Sequence, residues 1–269
     1  MSYDPGVALD FFRAVGKPTK VARSTKIFAE NEGSNVFRRS KIYLLLDGDV
    51  DLSAGKKPIG KVKKGEIFGE LAAITHAPRT ATATAAADCI VIALDDKEFA
   101  AALEKQPGFA LMLMSMLIGR LRETIARLNA AGALTEAAQI EESAAFDPKR
   151  LSELVSGLSN DAPIFYQQGR QVMSEGSKAA LMYAVVSGTV AVSIGGKVVE
   201  RLGPGGAFGE AALVDQQPRL ATAVAETDCE LQPITRQAFL QLVKTSPQFG
   251  YGMLASLAER LRFLTERLK

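Results

Sequence analysis

The chain repeats itself once, at a distance of 140 residues. Residues 43–129 align without a gap on residues 183–269, and 28 of these 87 positions are identical. A repeat of this length is too long for a solenoid, whose units of about 20–45 residues stack on their neighbours, and it fits a duplicated domain. The sequence therefore predicts two domains of one fold, at 1–130 and 147–269, joined by a helical linker at 131–146.

Upstream of residue 43 the two copies drift apart. The pair Glu32-Gly33 aligns with Glu175-Gly176 when three additional residues are placed in the first copy, within the segment 34–41. We therefore expect the two copies to differ in the length of one connection just before the shared part.

Each copy shows the same order of sequence patterns. Short runs in which Val, Ile and Leu alternate with polar residues come first, as at 42–53 and 181–194, and glycines mark the turns between them. A helical pattern follows and ends in a longer helix, which is predicted at 109–130 in the first copy. The order predicts a mixed β and α fold, with strands first and helices after them.

The long helix of each copy carries an apolar stripe. In the first copy the stripe consists of Leu117, Leu121, Ile125 and Leu128, and the second copy has a similar stripe of Leu257, Leu261, Leu264 and Leu268. Such a stripe indicates a face that packs on the helix's own barrel. The alternative is a seam between the C-terminal helices of two chains, which would make a homodimer.

Composition and charge limit the possible partners. A net charge of +2 gives no reason to expect nucleic acid, because DNA-binding domains carry a clustered basic face. The cysteines Cys89 and Cys229 hold equivalent places and are predicted to be buried strand thiols. The longest apolar run, near 109–119, is shorter than the roughly 20 residues that cross a bilayer. We expect no metal site, no membrane contact and a cytoplasmic location.

One motif of the repeat resembles a site more than a packing element. It extends over Phe68–Thr82 and Phe208–Thr222, and in each copy a Gly-Glu pair is followed, nine residues after the Glu, by an Arg that a Pro precedes. Glycine permits a close backbone approach, and the planar guanidinium of Arg suits phosphate oxygens. A glutamate beside a phosphate needs a donor, which a sugar hydroxyl supplies. The motif therefore predicts a pocket for a ribose phosphate in each copy.

Both motifs resemble the phosphate-binding cassette of the cyclic nucleotide-binding domain family. That family includes the bacterial catabolite activator, the regulatory subunits of cyclic nucleotide-dependent kinases, and cyclic nucleotide-gated channels. The resemblance covers nearly the whole chain, in the order of barrel glycines, cassette and trailing helices. It implies two tandem β jelly-roll domains, each flanked by N- and C-terminal helices, with the cassette inside the barrel.

The resemblance also implies which residues bind the ligand. The residues that would contact sugar and phosphate are Gly69, Glu70, Leu71, Ala72 and Arg79 in the first site, and Gly209, Glu210, Ala211, Ala212 and Arg219 in the second. The glutamate would hold the ribose 2′-hydroxyl, and the arginine would pair with the exocyclic phosphate oxygens. The glycine and the two amides after the glutamate would contact the sugar phosphate.

The residue after the arginine differs between the copies. Thr80 follows Arg79, whereas Leu220 follows Arg219. In the family a Thr in this place can bond the amino group of a syn guanine, but it also occurs in proteins that bind cAMP. The choice between cAMP and cGMP at the first site therefore stays open, and we expect a weaker guanine preference at the second.

The family often closes the pocket over the base with a residue of the final helix. The candidates on the two final helices are Arg120, Arg122, Arg260 and Arg262. A guanidinium can stack on a purine, so a cap of this kind is physically reasonable. The alternative is that these arginines are solvated charges on the helix surface.

The remaining sequence predicts a receptor and not an enzyme. It shows no Walker A motif, no dinucleotide fingerprint and no nucleophile–base set outside the cassettes. No helix-turn-helix is expected after the last helix. The leading hypothesis is a tandem receptor for cAMP or cGMP, without a cofactor, that binds one ligand per domain and signals through an unknown effector protein or self-association. The alternatives are a scaffolding protein with non-signalling pockets and, less favoured, a transcription regulator.

Overall fold

A computed structural model describes most of the chain, in several ranges. These are 3–33, 39–134, 146–149, 151, 162–178 and 180–267. By their internal contacts the residues divide into two compact units, 3–112 and 113–268. The predicted domain boundaries stay a prediction, and residues 135–145 of the predicted linker lie outside the described residues.

The first unit is built from two four-stranded antiparallel sheets and short helices. Its strands are β1 (Pro18–Val21), β2 (Lys26–Phe28), β3 (Lys41–Asp47), β4 (Val50–Ala54), β5 (Lys57–Val62), β6 (Ile67–Phe68), β7 (Thr82–Ala85) and β8 (Cys89–Asp95). Their order is β1-β8-β3-β6 in one sheet and β2-β7-β4-β5 in the other. Its helices are α1 (Pro5–Arg13), α2 (Glu70–Thr75), α3 (Asp96–Lys105) and the first turn of α4 (Gly108–Ala130).

The second unit repeats this arrangement. Its strands are β9 (Ile164–Tyr166), β10 (Gln171–Met173), β11 (Leu181–Ser187), β12 (Val190–Ile194), β13 (Lys197–Leu202), β14 (Ala207–Phe208), β15 (Thr222–Ala225) and β16 (Cys229–Thr235). The sheets have the orders β14-β11-β16-β9 and β10-β15-β12-β13. Its described helices include the remainder of α4, then α5 (Glu210–Asp215), α6 (Arg236–Thr245) and α7 (Pro247–Glu266). The predicted mixed fold, two tandem barrels with flanking helices, is confirmed.

The structure corrects the alignment of the copies before residue 43. The side chain of Glu30 accepts a hydrogen bond from Gly55 N, and the side chain of Glu175 accepts one from Gly195 N. Glu175 is therefore the counterpart of Glu30, and its pairing with Glu32 is wrong. The shift between the copies is 145 residues here and 140 after the connection, so the first copy carries five additional residues and not three.

The two cysteines confirm the sequence prediction. Cys89 and Cys229 are free and buried at the start of β8 and β16. Their thiols donate to the carbonyl oxygens of Asp49 at 3.2 Å and Thr189 at 3.1 Å. These bonds tie each strand to the turn beside it, so the thiols are packing groups of the barrel.

The apolar stripe of helix α4 is buried, but the prediction that it packs on the helix's own barrel is wrong, because this part of α4 has its contacts in the second unit. Leu117, Leu121, Ile125 and Leu128 are all shielded from solvent, and all four lie in the part of the helix that belongs to the second unit. Among the described residues no helix has the length and apolar character that a membrane span requires.

Candidate functional site

The cassette arginine of the first unit is buried and fixed by backbone carbonyls. Arg79 donates from Nη1 to Gly69 O at 2.6 Å and from Nη2 to Lys41 O at 2.8 Å. Its guanidinium carbon lies 4.2 Å from the centre of the Phe28 ring, and the residue is 5% exposed. Carbonyl dipoles and the ring face therefore stabilise a positive charge that has little access to water.

The second unit holds its arginine in the same way. Arg219 donates from Nη1 to Gly209 O at 2.8 Å and from Nη2 to Leu181 O at 2.5 Å. Burial lowers the pKa of the Arg219 guanidinium, while Tyr183 and Glu210 nearby act in the opposite direction. An arginine titrates far above neutral pH, so Arg219 remains a buried cation.

The surroundings of the two arginines differ in one respect. Phe28 of β2 is paired with Ala83, and in the second unit Met173 of β10 holds the same place opposite Ala223. The ring that stacks on Arg79 is therefore replaced by a flexible thioether. The second site is therefore more adaptable at this point, because the flexible Met side chain can change its conformation to fit a ligand.

Each cassette needs a glycine for two reasons, its left-handed backbone conformation and the close approach of the arginine side chain. Gly69 and Gly209 stand just before α2 and α5 with φ of 73° and 88°, in the left-handed region. A Cβ on Gly69 would lie 2.9 Å from Nη1 of Arg79. Glycine thus lets the arginine approach the start of the helix, where the first N–H groups have no acceptor within the helix.

The residues predicted to contact the phosphate by their amides follow these glycines. Leu71 and Ala72 lie in the first turn of α2, and Ala211 and Ala212 lie in the first turn of α5. In each unit the structure therefore brings the predicted amide donors and the predicted phosphate cation to one helix start.

The cassette glutamates are buried, and the second is ion-paired with the last helix. Glu70 and Glu210 are 2% and 3% exposed. Arg260 of α7 donates from Nη1 to Glu210 Oε1 at 2.9 Å, from Nε to Glu200 Oε2 at 2.8 Å, and from Nη2 to Ala207 O at 2.7 Å. Burial alone would lower the pKa of Arg260, but the two carboxylates outweigh it and raise that pKa.

The other predicted base caps lie in different surroundings. Arg122 pairs with Asp215, with 2.6 Å between Nε and Oδ2. Arg262 pairs with Glu266 one turn along its own helix, at 3.2 Å. Arg120 is half-buried in helix α4. The second unit contains a pocket around its cassette, and of these four arginines only Arg260 lines it. For all four, closure of the site over the base of a ligand stays a prediction.

That pocket brings the predicted residues of the second site together. Its lining includes Gly209, Glu210, Ala211, Ala212, Arg219 and Leu220. Phe263 and Leu264 of α7 line it as well, and so do Leu121 and Ile125 of α4. Sequence reasoning missed these four apolar residues as site residues. The apolar stripe marked three of them as buried, but a stripe does not say against what a helix packs.

Metal chemistry finds no support among the described residues. They contain no group of three or more His, Cys, Asp and Glu side chains placed to hold a metal ion.

A scan against family models matches both halves of the chain. The model described as "Cyclic nucleotide-binding domain" matches residues 24–106 and 163–246, which together make up more than half of the chain. Both matches include a cassette.

Two curated proteins are similar to all or part of the two matched regions. The chain is 28% identical over 224 residues to a cAMP-dependent protein kinase regulatory subunit of Eremothecium gossypii, which covers 83% of the chain and 43% of that protein. It is 37% identical over 102 residues to the cyclic AMP receptor protein of Thermus thermophilus, over 36% of the chain and 47% of that protein. The chain thus spans less than half the length of these two relatives.

Solved structures are similar over most of the chain. The regulatory domain of Toxoplasma gondii PKA, in a co-crystal structure with cAMP, is 21% identical and is matched over 89% of this chain and 85% of that chain, with a TM-score of 0.33.

Proposed function

Because this chain belongs to the cyclic nucleotide-binding domain family, we propose that it is a tandem receptor that binds one molecule of cAMP or cGMP in each unit. The observation that carries the proposal is the duplicated arginine geometry. Arg79 and Arg219 are buried cations, each fixed by two backbone carbonyls beside the glycine that begins the cassette helix. A buried cation at a helix start fits a singly charged phosphate diester.

The roles of the site residues follow from their chemistry. The guanidinium of Arg79 or Arg219 pairs with the exocyclic phosphate oxygens, and the amides after Glu70 or Glu210 donate to the same group. The buried carboxylate accepts the ribose 2′-hydroxyl, which a 2′-deoxy nucleotide lacks. The pocket therefore selects a ribose cyclic phosphate over inorganic phosphate and over deoxynucleotides.

Ligand binding in the second unit acts on helix α7. The carboxylate that receives the ribose hydroxyl, Glu210, also holds Arg260 of this helix. A ligand changes the strength and geometry of that pair. If α7 has two positions, the ligand shifts the equilibrium between them by as much as its affinity differs between the two. We propose that the shift alters a surface that binds an effector protein or a second copy of the chain, in the cytoplasm.

Released ligand and a direct titration test the proposed function. The protein is purified from its own cells, denatured, and the released nucleotide is identified by mass spectrometry. The refolded chain is then titrated with cAMP, cGMP and the 2′-deoxy form of each. We expect binding of a ribose cyclic nucleotide and at least about tenfold weaker binding of the 2′-deoxy forms, because each lacks the hydroxyl that donates to the buried carboxylate. An unchanged melting temperature with either nucleotide at millimolar concentration, together with retained partner binding, would favour a scaffolding role.

A further inference from the structure

Helix α4 contributes to the second site although it ends the first copy of the repeat. Residues 113–130 of this helix belong by their contacts to the second unit. Leu121 and Ile125 line the pocket that contains Gly209 and Arg219, and they are 5% and 6% exposed. The second site is therefore built from both copies of the repeat.

An ion pair fastens this helix to the second cassette. Arg122 donates from Nε to Asp215 Oδ2 at 2.6 Å and from Nη2 to Asp215 Oδ1 at 3.1 Å. The same Nη2 donates to Pro218 O at 2.9 Å. Asp215 is the last residue of α5, and Pro218 directly precedes Arg219. One guanidinium thus holds both ends of the short loop that leads to the phosphate arginine.

The repeat does not duplicate this contact. The counterpart of Arg122 is Arg262, which bonds to Glu266 of its own helix. The counterpart of Asp215 is Thr75, which carries no charge for an arginine to pair with. The ion pair between Arg122 and Asp215 is therefore specific to α4 and the second cassette, and the repeat does not predict it.

We propose that α4 covers the second nucleotide site, so that Leu121 and Ile125 contact the base of the bound ligand and Arg122 is the positioning residue that holds the cover in place. The inference rests on the proposed function. Four charged residues line the pocket. Glu210 and Arg219 serve the ribose and the phosphate, and Arg260 is bonded to Glu200 and Glu210, so the apolar part of the lining is left to contact the base. Binding at the second site is then coupled to the position of a helix from the first copy.

An apolar cover also sets a base preference. Leu121, Ile125 and Leu220 offer no hydrogen-bond donor or acceptor to a purine. Guanine carries more polar groups on its pairing edge than adenine, and burial of unpaired polar groups is costly. The cover therefore favours cAMP over cGMP at the second site.

The test compares each α4 variant with a control variant at a residue that does not line the pocket. The 269-residue chain with Arg79→Ala, which isolates the second site, is the parent. Leu121→Ala is matched by Leu261→Ala, because Leu261 holds the same place in the repeat, is equally buried and is not among the residues that line the pocket. Arg122→Gln is matched by Arg201→Gln, because Arg201 also bonds a carboxylate in the second unit, from Nε to Glu226 Oε2 at 2.7 Å, and is not among the residues that line the pocket. Each protein is titrated with cAMP and cGMP in a calorimeter.

We expect Leu121→Ala to weaken cAMP binding about tenfold, which corresponds to loss of most of one leucine contact, and to reduce the preference for cAMP over cGMP. Arg122→Gln is expected to weaken cAMP binding about threefold to tenfold, since a charged hydrogen-bonded pair is lost. Leu261→Ala and Arg201→Gln should change either affinity less than about twofold.

The outcomes distinguish failure of the proposed cover by α4 from failure of the proposed receptor function. If the parent binds cAMP and both α4 variants bind it as their matched controls do, the cover is refuted while the receptor stands. If wild-type protein binds no cyclic nucleotide, the receptor is refuted and the cover with it. Should Leu121→Ala fail to fold, the titration of Arg122→Gln against Arg201→Gln decides alone.

Discussion

Nη1 of Arg260 lies 2.9 Å from Oε1 of Glu210, so the residue predicted to close over the base is bonded to the residue predicted to hold the ribose. A second carboxylate, Glu200, lies 2.8 Å from Nε of the same arginine. The counterpart of Glu200 in the first copy is Gly60, so the doubled pairing belongs to the second unit. In the proposed receptor, a ligand hydroxyl bound to Glu210 would act on helix α7 through Arg260.

Removal of the Arg260 guanidinium should destabilise the second unit strongly. Arg260→Met leaves Glu200 and Glu210 buried without their cation, and we expect the free energy of unfolding to fall by about 3–5 kcal/mol. Urea unfolding followed by circular dichroism measures the change. Arg262→Met is the control, because its pair with Glu266 is on the helix surface and should contribute at most about 1 kcal/mol. Equal losses for the two variants would contradict this account.

A methyl group on the second cassette glycine should displace the phosphate arginine. In Gly209→Ala the new Cβ collides with the Arg219 guanidinium, and we expect cAMP affinity at the second site to fall about tenfold or more. Gly196→Ala is a matched control, since Gly196 also has a positive φ, of 78°, but a Cβ there meets nothing within 4 Å. Both variants carry backbone strain, so an equal loss of affinity in both would show that the arginine is not the cause.

The residue after the phosphate arginine should set the guanine preference. Leu220→Thr adds a hydroxyl to the second site, and we expect cGMP affinity there to rise about threefold to tenfold relative to cAMP, the worth of one hydrogen bond. Thr80→Leu should shift the first site in the opposite direction. Competition titrations with both nucleotides measure the two ratios. If both ratios stay at their wild-type values, Thr80 and Leu220 do not read the base.

Tyr166 should make the stability of the second unit fall at high pH. Burial and a hydrogen bond with Tyr183 raise the pKa of Tyr166 to about 12, above the usual 10.0. Between pH 10 and 12 the unfolded chain therefore binds fewer protons at this site than the folded one, so stability decreases as the pH rises. The free energy of unfolding of Tyr166→Phe should decline less over this interval than that of the wild type. Parallel curves would contradict the assignment.

The internal repeat made the fold predictable from the sequence. Glycines at equal spacing and alternating apolar runs indicate the barrel strands, and the cassette motif places Arg79 and Arg219 beside their glycines. The predicted alignment of Glu32-Gly33 with Glu175-Gly176 is wrong because Asn31, with φ of 61°, adopts the left-handed conformation that Gly176 has in the second copy. An identity-based alignment sees two different residues where the backbone is the same.

The partners of the final helices were not predictable in this way. A stripe such as Leu117–Leu121–Ile125 shows which face of a helix is buried, and not which surface buries it. The second-site role of Leu121 and the pairing of Arg122 with Asp215 depend on contacts between residues about 90 or more positions apart in the chain. Such contacts leave no local pattern in a single sequence.

Calorimetric titration of the wild-type chain, of Arg79→Ala and of Arg219→Ala with cAMP and cGMP tests the central claim most directly. We predict two ligands per wild-type chain and one per variant, because each substitution costs its own site about 2–5 kcal/mol and leaves the other site intact. Wild-type protein that binds neither nucleotide at millimolar concentration, or variants that still bind two ligands with wild-type affinity, would contradict a tandem cyclic nucleotide receptor.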